Sequence, residues 1–202
     1  MHQSPDMAAS AAPLPAAADE MAMLRAEIQR LKRENRALTI AIGELERVAD
    51  RDMLTPLYNR RYFLSALHQR IAQVERYGDR VVLMTIDINN LKAVNDSYGH
   101  AAGDYLLVDI ATRLSAINRD GDVLARVGGD EFGLIMDNIG QSEARQKIRR
   151  LRATIESEPC EFGDVAIPVT AAFGLTMVSQ GTTAEELLGI ADKAMIAAKT
   201  RH

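Results

Sequence analysis

A single cysteine, Cys160, stands in 202 residues, so no disulfide can form within the chain. Its apolar and turn-like neighbours suggest a buried structural thiol, with a nucleophile as the alternative. Charge of one sign is equally scarce. The 24 Lys and Arg against 28 Asp and Glu leave a net charge of −4, which excludes broad electrostatic adhesion to nucleic acid or anionic lipid. Recognition of phosphate would have to be local. No apolar run approaches the roughly 20 residues of a membrane span, and no basic segment followed by an apolar core opens the chain. A soluble, cytoplasmic protein with a reduced thiol is the expectation, with no nucleic acid and no membrane span.

A hydrophobic fraction of 47% is enough for one full domain plus an appendage. Residues 1–20 are Ala-rich, hold three prolines and lack periodicity, which predicts a disordered tail. Residues 21–49 differ sharply. Leu24, Ile28, Leu31, Asn35, Leu38, Ile42, Leu45 and Ala49 alternate at spacings of four and three, a heptad seam. Ile at a with Leu at d favours a parallel two-stranded coil, and Asn35 at an a position would fix register and dimeric state. Glu20 with Arg25, and Glu27 with Lys32, fall where they can pair between helices. An amphipathic helix packed on its own domain is the other reading. Gly43 weakens either helix by about 1 kcal/mol relative to Ala.

From residue 50 onward a third region begins. Pro56 stops the coil, Asn59 is placed to cap a helix from Arg60 to Tyr77, and Gly78 ends that helix. Val81–Ile88 (VVLMTIDI) reads as a strand buried on both faces that delivers Asp87 near its end. A short helix and loop fill 89–103, and a longer helix is expected from Asp104 to Ile117. Val123–Val127 and Phe132–Met136 read as two strands joined by a tight hairpin, with Gly128 and Gly129 supplying positive φ and Asp130 and Glu131 at the tip. From that stretch alone, a surface turn and a functional site are equal readings. Gln141–Glu156 is an amphipathic helix whose basic face carries Arg145, Lys147, Arg149, Arg150 and Arg152, ordinarily a solvated surface. Strands at 165–169 and 171–178 and a helix at 184–199 close the chain. The pattern describes an α/β (α+β) sandwich, one sheet with helices packed against it.

The heptapeptide RVGGDEF at 126–132 occurs with LTPLYNRRYF at 54–63, DINNLKAVND at 87–96 and YGHAAGD at 98–104. In this combination and order, residues 52–199 resemble the GGDEF family, the diguanylate cyclases. The resemblance implies a nucleotidyl-cyclase-like fold with a ferredoxin-like βαββαβ core over residues 50–202. It also implies condensation of two GTP into cyclic di-GMP with release of two pyrophosphates. The family's ligand positions correspond to Asp87, Asp130 and the backbone carbonyl of Ile88, with Glu131 as a further metal ligand or the base for the 3′-hydroxyl. Attack of a 3′-hydroxyl on an α-phosphate needs a divalent ion with oxygen ligands, Mg²⁺ or Mn²⁺. Gly128 and Gly129 would let the backbone approach ribose and phosphates.

Base choice follows from functional groups. Guanine presents N1–H and N2–H₂ as adjacent donors, and the Asp104 carboxylate, with Asn95 as second reader, accepts them. A helix N-cap for Asp104 and a turn for Asn95 are the structural alternatives. Lys92 and Lys199 match phosphate-contacting lysines. Departures are Asn89 where the family has Asp, Leu91 for Phe, Ile196 for Tyr, and an end at His202 where the family often continues to an arginine. Arg119 and Asp122, with Arg119 nine residues before Gly128, match the family's inhibitory product site. Arg forks onto phosphate and guanine edges while Asp accepts guanine's donors. Arg150 is expected to add a clamp from a neighbouring subunit. The expectation is a product-inhibited homodimeric cyclase. A cyclic di-GMP receptor without turnover, or a mainly structural dimerisation module, are the alternatives.

Overall fold

The computed structural model describes residues 15–199. The chain divides into two compact units, Met1–Ala49 and Asp50–His202. In the first, helix α1 spans Pro15–Ala49. It starts six residues before Met21, correcting the expectation that the tail extends to residue 20; the rest of that expectation, residues 1–14, lies outside the described residues. Proline at the first helical position explains the early start, because its missing N–H has no intrahelical partner there anyway. Leu24, Ile28, Leu31, Leu38, Ile42 and Leu45 are each about half exposed or more in the single chain. Arg30 bridges Glu27 at 2.8 Å and Glu34 at 3.1 Å along the helix, so Glu27 pairs within its own helix here.

In the second unit, α2 (Arg60–Tyr77) begins where the Asn59 carboxamide accepts the Tyr62 N–H at 3.0 Å and ends at Gly78, φ 70°. Strand β1 (Val81–Ile88) follows, then α3 (Leu91–Tyr98) and α4 (His100–Ala116). Helix α4 starts four residues before the expected Asp104, because Gly99 at φ 84° reverses the chain immediately after α3. Strands β2 (Val123–Arg126) and β3 (Glu131–Asp137) form the expected hairpin, and α5 covers Gln141–Glu156. An unanticipated short strand β4 (Cys160–Phe162) pairs with β5 (Val165–Ile167), and β6 (Ala171–Met177) and α6 (Ala184–Lys199) end the fold. Cys160 is buried in β4, and burial first, then the neighbouring Asp109 carboxylate, push its thiol up to about 11. A structural thiol results.

The main sheet runs β2-β3-β1-β6, every pair antiparallel, with β1 central as its apolar sequence demands. Strand alternation divides the core. Val82, Met84, Ile86, Phe132 and Leu134 face α3, α4 and α5. Val81, Leu83 and Ile135 face Phe63 and Leu67 of α2 and Leu187 and Ala191 of α6. Gly133 is glycine because the Phe63 ring occupies the place of a Cβ. Ahead of α2, Tyr58 bridges Ala125 of β2 in parallel, so residues 50–59 are laid along the sheet edge.

Candidate active site

Register brings the carboxylates together. Asp87 on β1 lies directly opposite Glu131 on β3, and Thr85 opposite Gly133, so by strand alternation both acids project toward the α2 and α6 face. The Ile88 N–H donates to the Asp130 carbonyl at 3.0 Å, tying the hairpin turn to the end of β1. Asp87, Asp130 and Glu131 therefore converge at one end of the sheet.

The turn differs from the expected tight hairpin. Neither Gly128 nor Gly129 adopts positive φ. Four residues, 127–130, separate the strands, and loops of that length build on turns that need no left-handed residue. Gly128 acts differently: a Cβ there would meet the Glu131 carboxylate and push that side chain aside. Gly129 faces open space, which leaves room for a ligand. The turn is held from within the fold. Arg126 donates to the Gly129 carbonyl at 2.8 Å and sits 3.4 Å from Asp52, while Arg60 donates to the Val127 carbonyl at 3.0 Å. Burial pushes the Asp52 carboxyl up, but the Thr55 N–H and hydroxyl, Arg126 and the Leu54 N–H outweigh it and hold that group below the ordinary carboxylate value.

Glu131 is pushed up, by burial first and then by the negative charge of Asp192, Asp130 and Asp87, with Arg60 opposing. Asp192, on α6, is an acid that the sequence reading missed; it lines a cavity with Arg60, Thr85 and Glu131. Four acids against one arginine leave an excess of negative charge that a divalent cation would satisfy. Among the described residues no group of three or more His, Cys, Asp or Glu is placed to hold a metal ion by itself. An open, all-oxygen donor set of this kind suits Mg²⁺, which keeps several waters and uses one or two carboxylates plus substrate phosphates. The residues present thus fit the ion.

Asn95 and Asp104 sit on adjacent helices at the same end. Asn95 lies inside α3, not in a turn, and its carboxamide occupies the place of a Cβ at Gly103, so α3 and α4 pack there without a side chain between them. Asp104 follows Gly103 in the second turn of α4, exposed, and Gly99 is the residue at the cap position. Both structural alternatives are therefore set aside. Lys92 is exposed in the first turn of α3. Lys199 closes α6, its side chain outside the described residues. Asn89 donates its amide to the Thr170 hydroxyl at 2.9 Å, joining the end of β1 to the start of β6.

At the other end of β2, Arg119, Asp122 and Arg150 line one cavity. Arg150 lines it from α5 of the same chain. Lys147, unremarked within the basic helix, approaches Asp122 at 3.9 Å and donates to the Ile117 carbonyl at 2.6 Å. Burial pushes the Asp122 carboxyl up against the pull of Lys147, and pushes the Lys147 ammonium down.

Comparison with known proteins settles the family. The profile "Diguanylate cyclase, GGDEF domain" matches residues 49–202. The chain belongs to the GGDEF family of diguanylate cyclases. It is 37% identical over 164 residues to the bifunctional diguanylate cyclase/cyclic di-GMP phosphodiesterase MucR of Pseudomonas aeruginosa, covering 81% of this chain and 24% of that protein. It is 35% identical over 176 residues to diguanylate cyclase VdcA of Vibrio cholerae, covering 86% and 49%. The chain thus spans a quarter to a half of these relatives. Among solved structures, the coiled coil and GGDEF domain of DgcB from Caulobacter crescentus in complex with c-di-GMP aligns with TM-score 0.78 at 25% identity, covering 88% of this chain and 95% of that one. SiaD of Pseudomonas aeruginosa, solved with its activator SiaC, aligns with TM-score 0.72 at 29% identity, covering 92% and 75%. The GGDEF nucleotidyl-cyclase-like α+β fold with an N-terminal helix is common ground between this chain and DgcB. Members of the family use divalent metal ions. Among the described residues no helix is long and apolar enough to cross a membrane.

Proposed function

We propose that this chain condenses two GTP into cyclic di-GMP and two pyrophosphates as a homodimer and is inhibited by its product. One observation carries the reading: Asp87 opposite Glu131, with Asp130 tied to Ile88 by a 3.0 Å hydrogen bond, assembles an acidic, oxygen-rich strand end open to a ligand. Asp87, Asp130 and the Ile88 carbonyl would hold Mg²⁺ or Mn²⁺, with Glu131 beside them. When bound, the ion neutralises phosphate charge and lowers the pKa of the attacking hydroxyl. Asp104 accepts the guanine N1 and N2 hydrogens and Asn95 reads the same base, which disfavours adenine. Glu131, beside the metal ligands, takes the proton of the 3′-hydroxyl. Lys92 and Lys199 contact the phosphates, and the open side of Gly129 leaves the approach clear.

Each chain holds one GTP, so the two-fold product requires two copies facing each other. The apolar stripe of α1, exposed in the single chain, supports a parallel coiled coil as the dimer contact, and the coil raises the local concentration of the second catalytic domain. We assign the coil to 21–49, lengthened back to Pro15, and catalysis to 50–202. Repacking of the coil would act on activity through residues 48–59. GTP supply places the reaction in the cytoplasm. Arg119, Asp122 and Arg150 bind product through phosphate and guanine edges, and the same cavity would serve a receptor without turnover.

Incubation of the purified chain with GTP and Mg²⁺, followed by nucleotide separation, decides between them. Cyclic di-GMP is expected, and its absence even in Arg119→Ala, which sheds prebound product, rules out the cyclase. Sedimentation of Leu31→Glu/Leu38→Glu is expected to give monomers; an intact dimer removes the coil's role.

A further inference from the structure

The cavity of Arg119, Asp122 and Arg150, about 130 Å³, is walled by further charges whose commitments differ. Asp137 of β3 is gripped from behind by Arg70 of α2, whose Nε lies 2.9 Å from each carboxylate oxygen and whose Nη2 lies 2.8 Å from Oδ2. Glu143 accepts the Gly140 N–H at 2.8 Å in the first turn of α5. Arg119 and Arg150 are exposed. Asp122 and Lys147 stand apart, because their side chains are only 8% and 12% exposed. An ammonium buried to that degree costs stability unless it is partnered.

Lys147 has two partners. It donates to the carbonyl of Ile117, the C-cap residue of α4, at 2.6 Å, and it stands 3.9 Å from the Asp122 carboxylate. The second distance is beyond a hydrogen bond, so Lys147 acts on Asp122 by charge and takes up none of its lone pairs. The turn between these contacts is closed by the Asp122 N–H on the Arg119 carbonyl at 3.0 Å and the Asn118 amide on the Asp122 carbonyl at 3.4 Å. Facing Asp122 are Lys147, Arg150 and Glu143 of α5, Asp137 of β3 and Arg119 of its own turn. Burial favours the neutral form of Asp122, and the charge of Asp137 adds to that; Lys147 opposes them, with the Arg119 N–H and guanidinium. The balance matters to a ligand. A protonated carboxyl carries a hydrogen where a guanine donor must approach, whereas the carboxylate accepts N1–H and N2–H together.

We propose that Lys147 is a positioning residue for cyclic di-GMP: held by the Ile117 carbonyl, its ammonium keeps Asp122 a carboxylate, so that the guanine acceptor persists on acidification. The proposal rests on the product-site reading of Arg119 and Asp122. It adds to that reading a buried cation from α5 and a consequence, product binding that changes little with pH.

Titration calorimetry of cyclic di-GMP into the full chain, without GTP, in slightly alkaline and in mildly acidic buffer, tests it. Lys147→Gln keeps a donor for the Ile117 carbonyl and removes the charge. It should weaken binding about threefold in the alkaline buffer and about thirtyfold in the acidic one, because each pH unit below a carboxyl's own value removes about tenfold of its ionised form. Lys147→Arg, which keeps the charge, should restore the parental pH profile. A loss of equal size in the two buffers, the signature of a loosened turn, overturns the proposal, as does a Lys147→Gln chain that binds like the parent. Should Lys147→Gln alone fail to fold, it is read on Asp122→Asn, which removes the unpaired carboxylate. No further loss of binding is expected there, and a further loss overturns the proposal. A parent chain that binds no cyclic di-GMP, or binds it equally well after Arg119→Ala, fails at the product-site reading itself, a result distinct from these.

Discussion

The two ends of strand β2 differ in their balance of charge. At the hairpin end, Asp87, Asp130, Glu131 and Asp192 face one balancing arginine, Arg60, and Glu131 is pushed up as a result. At the Val123 end, Arg119, Lys147 and Arg150 share one cavity with Asp122, Asp137 and Glu143. The first end would be completed by the cation proposed above. The second is balanced and offers both fork donors and a carboxylate, which supports the proposed product site. One short strand thus separates the proposed metal site from the proposed product site.

Substitution at the acidic end should have the largest consequence. Asp130→Asn removes a metal ligand worth several kcal/mol of transition-state stabilisation, so turnover should fall about 10³-fold while cyclic di-GMP binding at Arg119 is unchanged. Retention of near-parental rates would break the contrast, since the two ends would no longer differ in function. Arg119→Ala should weaken product binding about 10- to 100-fold, the loss of a charge-assisted contact, and abolish feedback while leaving the initial rate intact. Inhibition curves at increasing cyclic di-GMP read this directly.

Smaller effects sharpen the electrostatics. Lys147→Met leaves the buried Asp122 carboxylate without its cation and should lower stability by about 1–3 kcal/mol in urea unfolding, and Asp122→Asn in the same background should recover part of it. The smallest effect concerns Glu131. A carboxyl whose folded value lies above its unfolded one is protonated more readily in the folded state, so it opposes folding once pH rises above the ordinary carboxylate range. In metal-free buffer, Glu131→Gln should therefore melt about 2 °C higher than the parent at neutral pH, and the gap should close as pH falls toward that range. A Glu131→Gln variant that melts lower than the parent at neutral pH would mean that Glu131 is held by a positive charge and not crowded by acids.

Much of this was legible in residue order. Val81–Ile88 is the central strand because an unbroken apolar, β-branched run tolerates burial on both faces. Asn59 and Gly78 bound α2 because a capping carboxamide and a left-handed glycine act locally. Other features escaped for equally physical reasons. The start of α4 moved because Gly99 turns the chain between two helices, a choice made by packing of Asn95 on Gly103. Strand β4 is only three residues long, too short for alternation to mark it. The glycine pair was read as a conformational need, whereas neither glycine has positive φ, and Gly128 instead leaves the Glu131 side chain where it lies.

What the sequence determined by itself is every property that travels with neighbouring residues: the heptad stripe, strand and helix periods, the caps, and the motifs that place the chain among the GGDEF cyclases. What only the tertiary structure decided is which residues from distant elements share a face. Asp192 comes to Glu131 across 61 positions because α6 docks on the face toward which β3 alternation turns that acid. Lys147 meets Asp122, and Arg152 meets the open end of β6, because α5 lies on the opposite face. Contacts of that kind depend on docked surfaces, and no local period encodes them.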